Sequence, residues 1–359
     1  MMRQIRVAIL GQGRSGRDIH GKNLLKFGDQ YKVVAVSDPL EERRKRAEQE
    51  YEGCDTYSNY KDLMARNDID LIVNATPSHL HAPITKEFLE NGFNVLCEKP
   101  LARTAKEVDE LIEASVKSGT VLAVFQQSRY APAFQQVQQV IDSGVLGRIV
   151  QANIHYSNFA RRWDWQTLQE FNGGNLLNTG PHPVDQALQL FGTTIMPNIN
   201  CFMDRTNTFG DAEDYVKLLL SGENKPVVEV EISSCNAYSD YTYLIQGTQG
   251  SLRGTITNLE WKYYIPADEP TRSVIREPYV DDNGNPSYCR ENLTWHEDSW
   301  GISEEAGKDL FGTMTKEFYS MLYKTLTTGA GLEITPQEVR QQIAVIEECH
   351  RQNSLTRIG

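Results

Sequence analysis

Five short apolar runs, Ile5–Leu10, Lys32–Ser37, Leu71–Asn74, Asn94–Cys97 and Val121–Phe125, alternate with helix-patterned stretches in the first third of the chain. No other feature constrains the fold as strongly. The intervening stretches are Arg14–Phe27, Glu41–Tyr51, Asn59–Arg66, His81–Glu90 and Thr104–Lys117. Parallel strands need long crossovers, and helices on both faces bury each strand, so a run such as Val33-Val34-Ala35-Val36 reads apolar throughout. The pattern predicts an α/β domain over residues 1–125, built on a doubly wound parallel sheet.

After Phe125 the rhythm changes. One helix-like stretch, Phe134–Ile141, precedes extended runs at Ile149–Tyr156, Tyr215–Leu220, Val227–Ser233, Tyr241–Gln246 and Trp261–Ile265. Gly, Asn and Asp turns separate several of them. Residues 126–359 are therefore expected to form an α+β domain on an open, mainly antiparallel sheet. Tyr238, Tyr241, Tyr243, Trp261, Tyr263 and Tyr264 offer that sheet aromatic area, to face its own helices or another subunit; a homodimer or homotetramer is expected. Ala267–Trp300 reads as a polar excursion. Its Asp281-Asp282-Asn283-Gly284-Asn285 run has Pro286 where a calcium loop needs glycine and Asn292 where it needs glutamate, so a turn is expected and no metal. Helices at Thr315–Thr327 and Pro336–Gln352 close the chain, free to pack back on the first domain. Thr335 is the N-cap of the second, with Pro336 at its first position.

A chain of 359 residues with net charge −12 points away from nucleic acid and anionic membranes as partners. The one basic cluster, Arg43-Arg44-Lys45-Arg46, lies between glutamates and reads as a solvated helix face. Six scattered cysteines fit reduced thiols. With no signal-peptide pattern and no membrane-length apolar segment, a cytoplasmic location is expected.

Directly after the first strand, Gly11-Gln12-Gly13-Arg14-Ser15-Gly16 matches the dinucleotide fingerprint G-x-G-x-x-G and opens a helix. Gly11 permits the tight turn, Gly13 lets a pyrophosphate approach, and Gly16 lets helix and strand pack closely. Gln12 and Arg14 lie in the same loop. Asp38 ends the second strand, placed to accept from the adenosine ribose hydroxyls and to repel a 2′-phosphate, or else to cap the following helix. NAD is therefore expected over NADP. Thr76, Pro77 and His79, after Leu71–Asn74, and Glu98, Lys99 and Gln127, after later strands, complete a cofactor-binding set. His79 and His81 have no carboxylate or cysteine to complete a metal site.

Lys99 follows a strand at the sheet end where such folds bind ligands, so its ammonium can steady an oxygen gaining negative charge. His182, near the start of a helix that Pro183 opens and Gly192 ends, can be a proton acceptor or a plain capping residue. At a helix N-terminus it is expected to be neutral. Together with Thr76-Pro77-Ser78-His79, Glu98-Lys99-Pro100 and Gly173-Gly174…Gly180-Pro181-His182-Pro183-Val184-Asp185, the fingerprint resembles the Gfo/Idh/MocA family over essentially the whole chain. The resemblance implies a Rossmann domain, an open-sheet domain, and NAD(P)-dependent oxidation of a hydroxyl on a sugar or cyclitol. It places the family's catalytic lysine on Lys99, its histidine on His182 and its acid on Asn178. An asparagine there orients but cannot exchange a proton near neutrality.

Arg129, and the segment holding Arg162 and Trp165, offer charge and aromatic faces for a carbohydrate. The segment also reads as a surface loop. Asp185, one turn after His182, is a substrate ligand or a partner for the helix start. The expected function is an NAD-dependent oxidoreductase acting on a sugar, glycoside or cyclitol. The same residues also suit a glycosidase that retains NAD and oxidises its substrate transiently, or a non-catalytic NAD or sugar sensor.

Overall fold

A computed structural model describes residues 3–281 and 283–356. In chain order, β1 (Ile5–Leu10) leads into a π-helical stretch, Arg14–Gly21, that continues as α1 (Lys22–Lys26). Then follow β2 (Tyr31–Ser37), α2 (Glu41–Glu50), β3 (Asp55–Tyr57), β4 (Leu71–Asn74), α3 (His81–Glu90), β5 (Val95–Cys97), α4 (Ala105–Ser118) and β6 (Leu122–Val124). All five pairings are parallel, in the order β3-β2-β1-β4-β5-β6. The order reverses between β1 and β4, which opens a crevice at their carboxyl ends. α4 shows how the sequence sets an element. Thr104 and Glu107 form a reciprocal capping box, Val108, Leu111 and Ala114 face the core, and Gly119 in the left-handed conformation ends the helix.

The second part comprises α5 (Pro132–Asp142), β7 (Ile149–Ser157), α6 (Asn175–Asn178), α7 (Pro181–Phe191), β8 (Asn198–Asp204), β9 (Tyr215–Ser221), β10 (Val227–Ser233) and β11 (Tyr243–Gly247). It ends with β12 (Gly250–Gly254), β13 (Asn258–Tyr263), β14 (His296–Gly301), α8 (Glu304–Lys308), α9 (Leu310–Thr328) and α10 (Pro336–Gln352). Its sheet runs β14-β13-β12-β11-β7-β10-β9-β8 and is antiparallel except where β7 meets β10. A Rossmann sheet and a mainly antiparallel α+β sheet therefore share one chain.

Along β9 and β10 alternate residues Val216, Leu218, Leu220, Val228, Val230 and Ile232 are buried. The opposite face carries charge: Lys217 is paired with Glu229 and Glu231, and His155 with Glu229 at 3.3 Å. The aromatic residues expected to widen this sheet are divided. Tyr243 is in the core, Tyr241 stacks on His155 at 4.7 Å, Tyr264 meets Trp295, and Tyr238 is exposed.

The closing helices lie against the first sheet's helices and strands. Tyr31 donates to the Tyr319 carbonyl (2.8 Å), the Ala105 N–H to Glu347 (2.8 Å), and Arg340 to Asp109 (2.8 Å). At 281–286, Asp281 accepts from the backbone of Asn283 and Asn285, as a turn does; Asp282 lies outside the described residues. Among the described residues no helix is long and apolar enough to cross a membrane.

Candidate active site

A cleft of about 840 Å³ opens at the carboxyl ends of the parallel strands, and loops of the second sheet form its far wall. Gly11, Gly13, Arg14, Asp38, Thr76, Pro77, Glu98, Lys99 and Gln127 line it from the first part; Arg162, Trp165, Asn178 and His182 line it from the second.

Gly11 has φ +87°, and a Cβ there would fall 2.6 Å from the Ala75 carbonyl oxygen. A Cβ on Gly16 would collide with the Gly11 carbonyl oxygen at 1.8 Å, so this glycine is a packing requirement and lies behind the cleft wall. At Gly13 a Cβ would meet only Arg43 at 3.7 Å, which leaves the turn open toward the cleft. Gln12 points inward, away from the cleft; its N–H donates to Asp38 (2.7 Å).

Asp38 is buried, and its carboxylate also accepts from the Leu40 N–H (2.9 Å) and from Arg43 (3.3 Å). The N-cap of α2 is Leu40 with no side-chain cap, so Asp38 holds the turn before the helix and does not cap it. The basic cluster is not the solvated face expected. Arg46 donates to the Gln12 carbonyl and so braces the fingerprint loop, Arg44 donates to the Asp38 and Pro39 carbonyls after β2, and Lys45 pairs with Glu41. His79 packs edge-on to Phe171 (5.0 Å) and stands off the lining. His81, fully buried, joins the Thr76 carbonyl (2.8 Å) to the Pro100 carbonyl (2.7 Å). The side-chain carbonyl of Gln127 is buried without a partner among the described residues, an acceptor left for a ligand amide or hydroxyl. Glycine turn, Asp38 and orphaned Gln127 together fit a dinucleotide.

The reactive half is built across the two sheets. Lys99 leaves β5 just before the cis Lys99–Pro100 peptide, and its ammonium donates to the Asn178 carbonyl at the end of α6 (2.7 Å). Burial lowers the pKa of Lys99, and the Glu98 charge opposes that. His182 is the second residue of α7, which opens at Pro181 with Gly180 as N-cap, two residues earlier than Pro183 implied. Its Nδ1 meets the Ser128 hydroxyl (2.9 Å), itself held by Gln126 (3.1 Å), and its Nε2 has no partner among the described residues. Burial and then the neighbouring Lys99 charge push His182 down to about 3, so its imidazole is neutral. Asn178 accepts from Gln166 (3.2 Å), which in turn is held by Arg162. Ser128 and Gln126 carry no motif; their place beside Gln127 was the only sequence signal.

Arg162 is fixed by Asp164 (2.8 Å) and also walls a second cavity of about 370 Å³. Alongside Arg162, the residues Asn158, Asn175, Thr179, Ser234 and Thr242 give that cavity neutral hydrogen-bonding groups that no sequence pattern marked. The structure does not bring Arg129 and Asp185 to either space. They form a buried pair (2.5 and 3.0 Å) that Glu338 extends (3.0 Å), so their charges are spent joining the 127–130 turn, α7 and α10. One trio among the described residues, His155, Glu229 and Glu231, has metal-ligand proximity, and the Lys217 ammonium already pairs with both carboxylates.

A glycine-turn dinucleotide cleft that meets a lysine and a neutral histidine across a Rossmann sheet and an open sheet defines a two-domain nicotinamide-nucleotide oxidoreductase. Residues 5–126 match the oxidoreductase family with an NAD-binding Rossmann fold, and residues 134–253 match the Gfo/Idh/MocA C-terminal domain; the chain belongs to the Gfo/Idh/MocA family. It is 29% identical to an uncharacterized oxidoreductase of Schizosaccharomyces pombe, over 70% of each chain. It is 25% identical to scyllo-inositol 2-dehydrogenase (NADP(+)) IolW of Bacillus subtilis, over 96% of this chain and 92% of that one. Its fold superposes with TM-score 0.78, at 23% identity, on the WlbA dehydrogenase of Bordetella pertussis, solved with NADH and UDP-GlcNAcA, over 98% and 95% of the two chains.

Proposed function

We propose that the protein is an NAD-dependent dehydrogenase that moves hydride between nicotinamide and a hydroxyl of a sugar, glycoside or cyclitol. The observation that carries the reading is the neutral His182, with a free Nε2, on the same cleft as the Lys99 ammonium. Bound nicotinamide supplies the hydride acceptor. His182 takes the hydroxyl proton at Nε2, with Ser128 fixing the ring through Nδ1. Lys99 donates to the same oxygen and stabilises its charge as the C–H bond is lost. With nicotinamide held by the Gly11–Gly16 turn, Asp38 and Gln127 as hydride acceptor, the alcohol would become a carbonyl whose oxygen Lys99 holds and whose proton rests on His182. Asn178 orients the substrate and exchanges no proton. Arg162, Trp165 and the smaller polar cavity hold the remaining hydroxyls and a ring face.

Cofactor choice rests on Asp38, whose carboxylate lines the cleft and would accept from ribose hydroxyls and disfavour a 2′-phosphate. Arg43 offsets that charge in part. Family members differ here, since the Bacillus subtilis relative is named for NADP(+) and the Bordetella pertussis enzyme was solved with NADH. Fluorescence titration is expected to give tighter binding of NAD than of NADP, with the gap narrowed in Asp38→Ala; tighter binding of NADP by the unmodified protein refutes the assignment.

A panel of sugars, cyclitols and nitrophenyl glycosides monitored at the NADH absorbance tests the activity. Net NADH from a free sugar or cyclitol supports the dehydrogenase. Nitrophenol release without net NADH identifies an NAD-retaining glycosidase, and binding without turnover a sensor.

A further inference from the structure

Glu98 and Lys99 are consecutive, oppositely charged and both on the cleft wall, yet they do not pair with each other. The Lys99 ammonium reaches across the cleft to the Asn178 carbonyl, and the Glu98 carboxylate is turned the other way. One Glu98 oxygen accepts from His20 Nε2 (3.2 Å) and the other from the Lys99 backbone N–H (3.2 Å). An ionised carboxylate only accepts, so His20 Nε2 carries a proton. The other ring nitrogen, Nδ1, meets the Tyr319 hydroxyl at 2.8 Å. His20 lies on the π-helical stretch that opens on the fingerprint, Tyr319 lies on α9, and both are fully buried, with Phe125 edge-on to the imidazole at 4.6 Å. The relay Tyr319–His20–Glu98 therefore spans the chain from its first helix to its penultimate one.

We infer that His20, held by Tyr319, is a positioning residue that keeps the Glu98 carboxylate away from the Lys99 ammonium, leaving that ammonium free for the substrate oxygen. The inference rests on the role proposed above for Lys99. In a buried site a carboxylate that loses its donor turns to the nearest cation, because an unpaired buried charge is costly. For Glu98 that cation is Lys99. Burial opposes ionisation of Glu98, and the His20 hydrogen bond with nearby positive charge overrides it, holding the carboxyl at about 2. The other groups facing the pair are Arg14, Arg162 and His182 around Lys99 and His81 beside Glu98.

The test reads Lys99 itself. In the cofactor-free protein, residue-resolved acylation against pH, followed by mass spectrometry, reports the ionisation of this lysine without any turnover. His20→Phe should raise the Lys99 midpoint by about one pH unit, as contact with an opposite charge does. On a verified substrate it should lower kcat by up to about 10²-fold, the scale for losing one preorganised donor. His20→Gln, which returns an N–H, should restore both. Tyr319→Phe removes one oxygen from the same aromatic packing and should move Lys99 the same way by less, so it decides the matter if His20→Phe does not fold. A Lys99 midpoint unchanged or lowered in a folded variant overturns the inference. A raised midpoint in a protein that turns over no substrate would instead overturn the dehydrogenase reading and leave the relay standing.

Discussion

His182 combines three properties that a proton acceptor needs: burial that keeps it neutral, a fixed ring through Ser128, and an open Nε2 on the cleft. His182→Ala should lower kcat by about 10²–10⁴, the usual worth of a general base, while NAD still binds in a fluorescence titration. Lys99→Met should do likewise, and near-normal turnover by both variants would point to another base. The pH profile carries a sign. Oxidation needs the unprotonated imidazole, and with His182 pushed down to about 3 its acid limb should fall below the ordinary histidine value. Asn178→Asp places a carboxylate near the ring, favours imidazolium and should move that limb to higher pH; a limb that stays put separates Asn178 from the proton path. The chain marked Lys99 by a short motif after a strand and His182 by a glycine-rich stretch with a proline-opened helix, and one cleft holds both; Asn178 was singled out only by the family resemblance. The place of Arg129 and Asp185 was not legible, because sequence spacing cannot tell a charge aimed at a cleft from one neutralised beneath it. Glu338, which completes their triad, lies more than a hundred and fifty residues from Asp185 and nothing local announces it.

At the level of elements, long buried strands and capped helices were readable, and short or edge strands were not. β1, β4, β10 and α10 fall where the apolar period and capping residues put them, since each combines a continuous pattern with clear punctuation. β3 has three residues, β12 is bounded by Gly250 and Gly254, and β14 sits inside what reads as a polar excursion; pairing with a neighbour, not local preference, makes them strands. Asn59–Arg66 became a 3₁₀ turn, Tyr60–Ala65, and the helix expected after Gly13 begins as a π-helix. The Arg129 triad belongs to this scale because it fastens three elements. Arg129→Met should cost about 3–5 kcal/mol in urea unfolding, since Asp185 is left buried and unpaired. Arg129→Met with Asp185→Asn should recover much of that, and if both lose little the triad is not what fastens α7 to α10.

For the molecule as a whole, the aromatic face once expected to drive assembly is divided, and what remains outside is a charged sheet surface and scattered aromatics such as Phe159, Trp163 and Phe209. The homo-oligomer expected from that face thus loses its apolar basis, and we propose it only through the charged sheet face. Light scattering at micromolar concentration should give a multiple of 40.7 kDa that falls as salt is raised, and a monomer mass at low salt would count against it. The seating of α9 and α10 on the first sheet has a consequence in time. Tyr31 and Phe125, made early, are covered by Tyr319 and Phe318, and α4 by α10. A ribosome adds about 5–20 residues each second, so the nucleotide half emerges roughly ten seconds or more before the helices that seal it. For that interval the nascent half-protein exposes an aromatic flank that only the last helices cover.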